Sequence, residues 1–108
     1  MKHISLTFVG DRELYLSYMP FFKTGGIFYR TTDDFAIGEE VEVEITLPDA
    51  LESSIITGAI SWITPPGVQN GTPPGVGISF IEDKDKVRDQ IEKSLGRLLS
   101  STDPTLTM

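Results

Sequence analysis

The chain of 108 residues has no cysteine and carries sixteen acidic against nine basic side chains, a formal net charge of −7 at pH 7. A chain of this length forms one domain around a single hydrophobic core, and without cysteine it has neither disulfides nor thiolate metal sites. Its acidity argues against nucleic-acid binding. No apolar run approaches the roughly 20 residues of a membrane span, and the N-terminus lacks a signal-peptide pattern, so we expect a soluble, cytoplasmic protein without direct membrane insertion.

Five segments are predicted to be β-strands, the first, third and fifth because they alternate apolar and polar residues and the other two because they are rich in β-branched and aromatic residues. They are residues 4–8, 27–30, 41–47, 55–64 and 76–80. The pattern is clearest at residues 41–47, where a slip of one position would bury Glu42 and Glu44. Gly58 is expected to form a β-bulge in the fourth segment. The eight acids between Asp33 and Glu52 have no base among them. They form either a solvated outer sheet face or a patch for a basic partner.

The segment 14–19 fits neither a regular helix nor a regular strand. It is more apolar than a connection needs to be, so it either covers one end of a barrel or forms part of a docking surface. Further along, Thr64-Pro65-Pro66-Gly67-Val68 is repeated as Thr72-Pro73-Pro74-Gly75-Val76. Because proline fixes φ and lacks an N–H, this stretch is a stiff loop, either a plain hairpin connection or a rigid contact loop.

The C-terminal part predicts one amphipathic helix, capped by Asp83 or Asp85. Its apolar residues recur at helical spacing and comprise Val87, Ile91, Leu95, Leu98 and Leu99. The tail 101–108 is too polar to order itself in isolation, which leaves residues 1–100 as the domain. Five or six strands in meander order, followed by this helix, predict an antiparallel barrel with the helix over one opening.

Groups that could perform catalysis are scarce. His3 is the only histidine, and it lies at the start of the chain, where we expect a solvated side chain. No serine lies in a strand-turn-helix nucleophile setting, and no set of residues has metal-ligand spacing. We therefore predict no enzymatic activity, no cofactor and no metal.

The segment 18–28 resembles the signature loop of the PilZ domain family, in which Asp/Asn-x-Ser-x-x-Gly leads into a strand. Gly26 matches the final glycine and follows Gly25, whereas Lys23 replaces the serine and Phe21 replaces the Asp/Asn. The resemblance implies a mainly β fold, a six-stranded antiparallel barrel with one C-terminal helix. It extends over almost the whole chain.

Many members of this family are receptors for cyclic di-GMP and bind it through an Arg-x-x-x-Arg segment before the first strand. Residues 1–11 contain no arginine, and Arg12 has no arginine four positions away. If each missing guanidinium contributes about 1.5–3 kcal/mol, losing two weakens binding by roughly a hundredfold to ten-thousandfold. We therefore expect cyclic di-GMP to bind weakly or not at all. The alternative is a direct receptor with a degenerate site formed by the loop of Phe21, Lys23, Gly25 and Gly26.

Within the family, the sequence is most similar to the members that act in type IV pilus assembly. That resemblance implies a noncatalytic adaptor for pilus biogenesis and twitching motility. Its partners would be a PilB-like assembly ATPase and a FimX-like EAL-domain regulator that reads cyclic di-GMP. The candidate partner-binding residues are Tyr15, Tyr18, Met19, Pro20, Phe21 and Phe22, with Tyr15 for the ATPase. Against this, Phe21 or Phe22 could turn inward and fill the barrel mouth, and exposed aromatics here could equally support a homodimer.

Overall fold

The computed structural model describes residues 1–48, 50–64 and 74–96, which contain five strands and two helices. In chain order these are β1 (Lys2–Thr7), α1 (Asp11–Ser17), β2 (Gly26–Arg30), β3 (Glu40–Thr46), β4 (Ser54–Thr64), β5 (Gly75–Glu82) and α2 (Val87–Ser94). Within these residues no helix has the length and apolar character that crossing a bilayer requires.

The strands form one curled sheet, a half-barrel with the order β1-β3-β4-β5-β2. β1 pairs with β3 in parallel, and the other three pairings are antiparallel. The prediction of a mainly β fold is confirmed. The prediction of six antiparallel strands in meander order is wrong for the described residues, which form five strands in a mixed sheet. The chain crosses from β1 to the far edge of the sheet, forms β2 there, and returns to form β3 beside β1.

The core lies on the concave face of the sheet and consists of the apolar residues that the alternation predicted. On β3, Val41, Val43 and Ile45 are buried, whereas the intervening glutamates point outward. β4 changes register against β5 at the Thr57/Gly58 step, where the bulge was predicted. Branched side chains on one face and charged ones on the other thus fix which side of the sheet is inside.

The outer face of β1 and β3 carries contacts between polar and charged side chains. His3 belongs to β1 rather than to a frayed terminus, and its ring is half exposed between two glutamates of β3. Its Nδ1 lies 3.0 Å from Glu42 Oε1 and its Nε2 lies 3.5 Å from Glu44 Oε1. Lys2 Nζ stacks 4.3 Å from the ring centroid of Phe35. Part of the acidic stretch is therefore an outer sheet face, as one of the two interpretations expected.

Helix α1 corrects the interpretation of residues 14–19. Residues 11–17 are helical, and Leu14 is fully buried under the sheet's concave side. The acids Asp11 and Glu13 lie in the first turn, where they interact favourably with the helix dipole. With two turns and one buried residue, the helix is too short to show a helical period in its sequence.

The prediction of a C-terminal amphipathic helix is confirmed by α2 within the described residues. Val87, Ile91 and Leu95 are buried in the core. Asp83 is the capping residue, since its carboxylate accepts hydrogen bonds from the backbone N–H groups of Val87 at 2.6 Å and Arg88 at 2.9 Å. The rest of the apolar stripe (Leu98, Leu99), most of the repeated Pro-Gly loop (65–73) and the tail 101–108 lie outside the described residues.

Candidate functional site: the loop between α1 and β2

The loop at residues 19–25, called the docking loop below, is held by several hydrogen bonds. The Met19 N–H donates to the Gly26 carbonyl and the Gly25 N–H donates to the Phe22 carbonyl, both at 2.9 Å. The Thr24 hydroxyl donates to the Phe80 carbonyl on β5 at 2.5 Å. These bonds close the loop on itself and fasten it to the sheet, so the side chains it presents have fixed positions.

The two phenylalanines of the loop differ in exposure. Phe21 is 71% exposed, whereas Phe22 is half buried. Their rings meet edge to face with centroids 5.0 Å apart. Phe22 packs directly on Gly26, where an added Cβ would contact its ring and lie 2.6 Å from the Ile78 carbonyl oxygen. Glycine at position 26 therefore makes room for Phe22, and Phe22 supports the exposed ring of Phe21.

Gly25 and Arg88 fix the end of the loop. Gly25 has φ +80°, a conformation that favours glycine. The aliphatic part of the Arg88 side chain lies against it, and Arg88 Nη1 donates to the Lys23 carbonyl at 3.2 Å. The Lys23 side chain is exposed and makes no hydrogen bond or ion pair within the described ranges.

Tyr18 ties the start of the loop to α2. It is 6% exposed, and its hydroxyl donates to Glu92 Oε2 at 2.5 Å. Arg88 Nε reaches the same carboxylate oxygen at 3.3 Å. Burial, and then the bond to Glu92, raise the pKa of Tyr18 to about 12. The bond from Tyr18 and the nearby Arg88 hold the pKa of Glu92 below its usual value. We call these three residues the clasp.

The predicted partner-binding residues differ in accessibility. Pro20 and Phe21 are exposed, Met19 and Phe22 are half buried, and Tyr18 is buried within the clasp. Tyr15 is partly buried and packs against the core. The apolar surface at this loop is therefore narrower than the sequence suggested, and Phe21 is its most exposed aromatic ring.

Trp62 belongs to the same side of the molecule and was not predicted as a site residue. Its side chain on β4 is 52% exposed. An added Cβ on Gly77 would lie 2.9 Å from both Trp62 Cβ and Met19 Sδ, which places these two side chains together over β5. The sequence contained one signal for this placement of Trp62, namely the alternation of Gly75 and Gly77 with apolar residues. Glycines on one face of a strand leave room for large neighbouring side chains.

The loop offers little to a nucleotide. Its two polar motif positions hold Phe21 and an unpaired Lys23, and the adjacent guanidinium of Arg88 is already bound to Glu92 and the Lys23 carbonyl. Within the described ranges, no cluster of histidine and acidic residues could hold a metal ion. The geometry favours contact with an apolar surface.

Most of the sequence matches a family of known proteins. The sequence model of a family described as PilZ domain matches residues 2–97, which is most of the chain. No curated protein matches the sequence. The matched range includes the docking loop, the whole sheet and α2.

Proposed function

Because this chain belongs to the PilZ domain family, whose members bind cyclic di-GMP or act as adaptors, we propose that it is a noncatalytic adaptor. In this proposal it acts in the cytoplasm in type IV pilus biogenesis and twitching motility. It joins a FimX-like EAL-domain regulator, which reads cyclic di-GMP, to a PilB-like assembly ATPase, and does not bind the nucleotide tightly itself.

The observation that carries the proposal is the exposure of Phe21. An aromatic ring 71% exposed on a loop held by backbone hydrogen bonds loses little conformational freedom when a partner covers it. Rings of this kind often supply most of the binding energy of a protein interface. Phe21 also occupies the position where the family motif has a ligand-binding Asp or Asn, so an apolar contact replaces a polar one.

The identity of the partners is supported by resemblance. The sequence is similar to the type IV pilus assembly protein PilZ from Leu14 onward, and the partners of that protein are transferred here as a proposal. Tyr15 remains the candidate for the ATPase contact. It is partly buried, so part of its ring is accessible beside the core.

A direct receptor for cyclic di-GMP is the second candidate function. Lys23 favours it, because its ammonium group is exposed and unpaired within the described residues, and because Lys23 occupies the motif position for serine. One lysine does not replace two bidentate guanidiniums on the phosphates. We therefore expect no binding of cyclic di-GMP to the purified chain at low-micromolar concentration.

The test compares Phe21→Ala with Leu51→Ala, a matched truncation of a fully exposed apolar side chain far along the chain. Binding to the regulator's EAL domain, to the ATPase and to cyclic di-GMP is measured by isothermal titration calorimetry. Phe21→Ala should weaken one protein contact about tenfold or more without changing Tm, and Leu51→Ala should change neither.

Tyr15→Ala is the companion variant, and it should weaken ATPase binding while the protein stays folded. A large fall in Tm with unchanged ATPase affinity would show that Tyr15 serves only the core. Low-micromolar binding of cyclic di-GMP, unaffected by Phe21→Ala, would favour the receptor instead of the adaptor.

A further inference from the structure

The two edge strands of the sheet, β1 and β2, border an open cavity that α1 also lines. Its volume is about 370 Å³, within the range of about 300–1,000 Å³ for sites that bind ligands. No residue of the docking loop lines it. The lining residues come from the end of β1, from α1 and from the end of β2, and they are Leu6, Thr7, Phe8, Glu13, Leu16, Ser17, Phe28, Tyr29 and Arg30. We call the gap between residues 6–8 and 28–30 the seam.

The backbone of β1 presents hydrogen-bonding groups to the seam. The Phe8 N–H donates to the Thr46 carbonyl at 2.9 Å, so Phe8 faces β3. Successive backbone groups of a strand point to alternate sides, and the N–H and C=O of Thr7 therefore face away from β3. In the described part of the chain, no strand lies on that side of β1.

The edge of β2 is paired at one end and free at the other. Tyr18 forms an isolated antiparallel bridge with Ile27, and the Gly26 carbonyl accepts from Met19 on the same side. The Thr31 N–H donates to the Pro74 carbonyl beyond β5, so by alternation the backbone of Arg30 faces the seam. Beside the cavity, the described chain supplies no strand that pairs with this outer edge of β2.

The side chains that line the cavity are partly apolar and partly polar, and they include one carboxylate, Glu13, and one guanidinium, Arg30. Leu16 is 58% exposed at the rim, and Phe8 closes the floor at 6% exposure. The Arg30 side chain is exposed and makes no hydrogen bond or ion pair with any described residue. No described carboxylate, including that of Glu13 in the same lining, forms an ion pair with Arg30, so its guanidinium is available to an external carboxylate.

We propose that the seam binds one extended segment of a partner polypeptide by β-addition. The segment pairs with the free backbone of Thr7 and Arg30, places an apolar side chain in the cavity, and brings an acidic side chain to Arg30. A small apolar ligand would leave the edge groups of both strands unpaired. A second copy of this chain would add another seven negative charges to an assembly that already repels itself. An acid-bearing partner strand fits both the backbone and the charge.

This site is separate from the docking loop, so its test does not depend on the proposed contact of Phe21. The purified protein is used to select binders from a displayed library of random short peptides. The best binder is then synthesised in two forms, one with normal amides and one with alternate amides N-methylated. N-methylation removes backbone donors and keeps the side chains, which separates β-addition from simple filling of the cavity.

Two variants probe the seam, each with a matched control. Thr7→Pro removes the N–H that faces the seam without removing a bond to β3, and Ser5→Pro makes the same change outside the cavity. Arg30→Gln removes the unpaired cation, and Arg12→Gln removes an exposed cation on α1 that does not line the cavity. Arg30→Gln keeps the test decisive even if a proline unfolds β1.

The expected result is a selected peptide with alternating apolar residues and an acid. Its affinity should fall about tenfold or more for Thr7→Pro, for Arg30→Gln and on N-methylation, and by less than about twofold for the two controls. Three results would overturn the proposal: no such peptide is selected, the N-methylated form binds equally well, or sedimentation shows a dimer that Arg30→Gln dissociates. The second would identify an apolar ligand site, and the third a self-association surface.

Discussion

Replacing Tyr18 by phenylalanine removes one hydroxyl from the clasp and keeps the buried ring. The lost bond joins Tyr18 to a carboxylate at 2.5 Å, and hydrogen bonds to charged groups contribute about 1.5–3 kcal/mol. Glu92 keeps its contact with Arg88, and its side chain is 39% exposed, so water replaces part of the bond. We therefore expect Tyr18→Phe to lower the free energy of unfolding by about 1–2 kcal/mol at pH 7.

The effect of this substitution depends on pH in a defined direction. Tyr18 keeps its proton up to a pKa of about 12 in the folded protein, whereas the unfolded chain releases it near 10. The folded state thus holds the proton more tightly, and this contribution to stability is complete below pH 10 and lost as the pH rises toward 12. At pH 11 the wild-type protein has lost roughly 1 to 2 kcal/mol of its free energy of unfolding through Tyr18. Tyr18→Phe has no proton at this position, so its free energy of unfolding does not change for this reason. The two proteins should then have nearly equal stability.

The assay is urea unfolding of both proteins at pH 7 and pH 11, followed by circular dichroism. Other groups titrate over the same range, but they are common to both proteins and cancel in the difference. Tyr15→Phe is the control, since the Tyr15 hydroxyl makes no hydrogen bond within the described ranges. If the difference between wild type and Tyr18→Phe is as large at pH 11 as at pH 7, the clasp does not hold the Tyr18 proton.

Two further variants test the packing of the docking loop and the start of α2. Gly26→Ala places a Cβ 2.6 Å from the Ile78 carbonyl oxygen and against the Phe22 ring, so it should lower stability by about 1–3 kcal/mol in thermal unfolding, whereas Gly96→Ala, in open space, should not. Asp83→Ala removes the carboxylate that caps α2 and should cost about 0.5–2 kcal/mol in urea unfolding. Asp85→Ala is the control for that change, and an equal loss from both aspartates would refute the assignment of the cap.

The strands were predictable because each carries its own signal. Alternation at residues 41–47 and 76–80 reflects one buried face, and that pattern does not depend on which strand lies alongside. The order of the sheet was not predictable in the same way. β1 joins β3 across an intervening helix, loop and strand, and no short pattern encodes a pairing between residues as distant as Lys2 and Val41. The resemblance supplied a six-stranded antiparallel barrel, and the parallel pair shows where the described chain departs from it.

The candidate site remains a prediction, and the structure adds detail that the sequence could not supply. The sequence marked residues 18–22 as aromatic and apolar, and it left open whether Phe21 or Phe22 turns inward. It could not show that Tyr18 is buried, because the partner that accepts its hydroxyl, Glu92, lies 74 positions later on α2. Leu14 and Tyr18, four residues apart and both buried, were the one local sign. The seam could not be predicted at all, since it exists only where the two ends of the strand order come together.

The pairing of Lys2 with Val41 also bears on how the chain acquires its structure. β3, β4 and β5 follow one another as neighbours, so their contacts close short loops and can form early. β1 is synthesised before β3, and among the described strands its ladder partner is β3, so it must wait until residue 46 has been synthesised and released. The first strand of the chain is thus among the last to be incorporated, and until then its apolar residues remain exposed to whatever binds nascent chains.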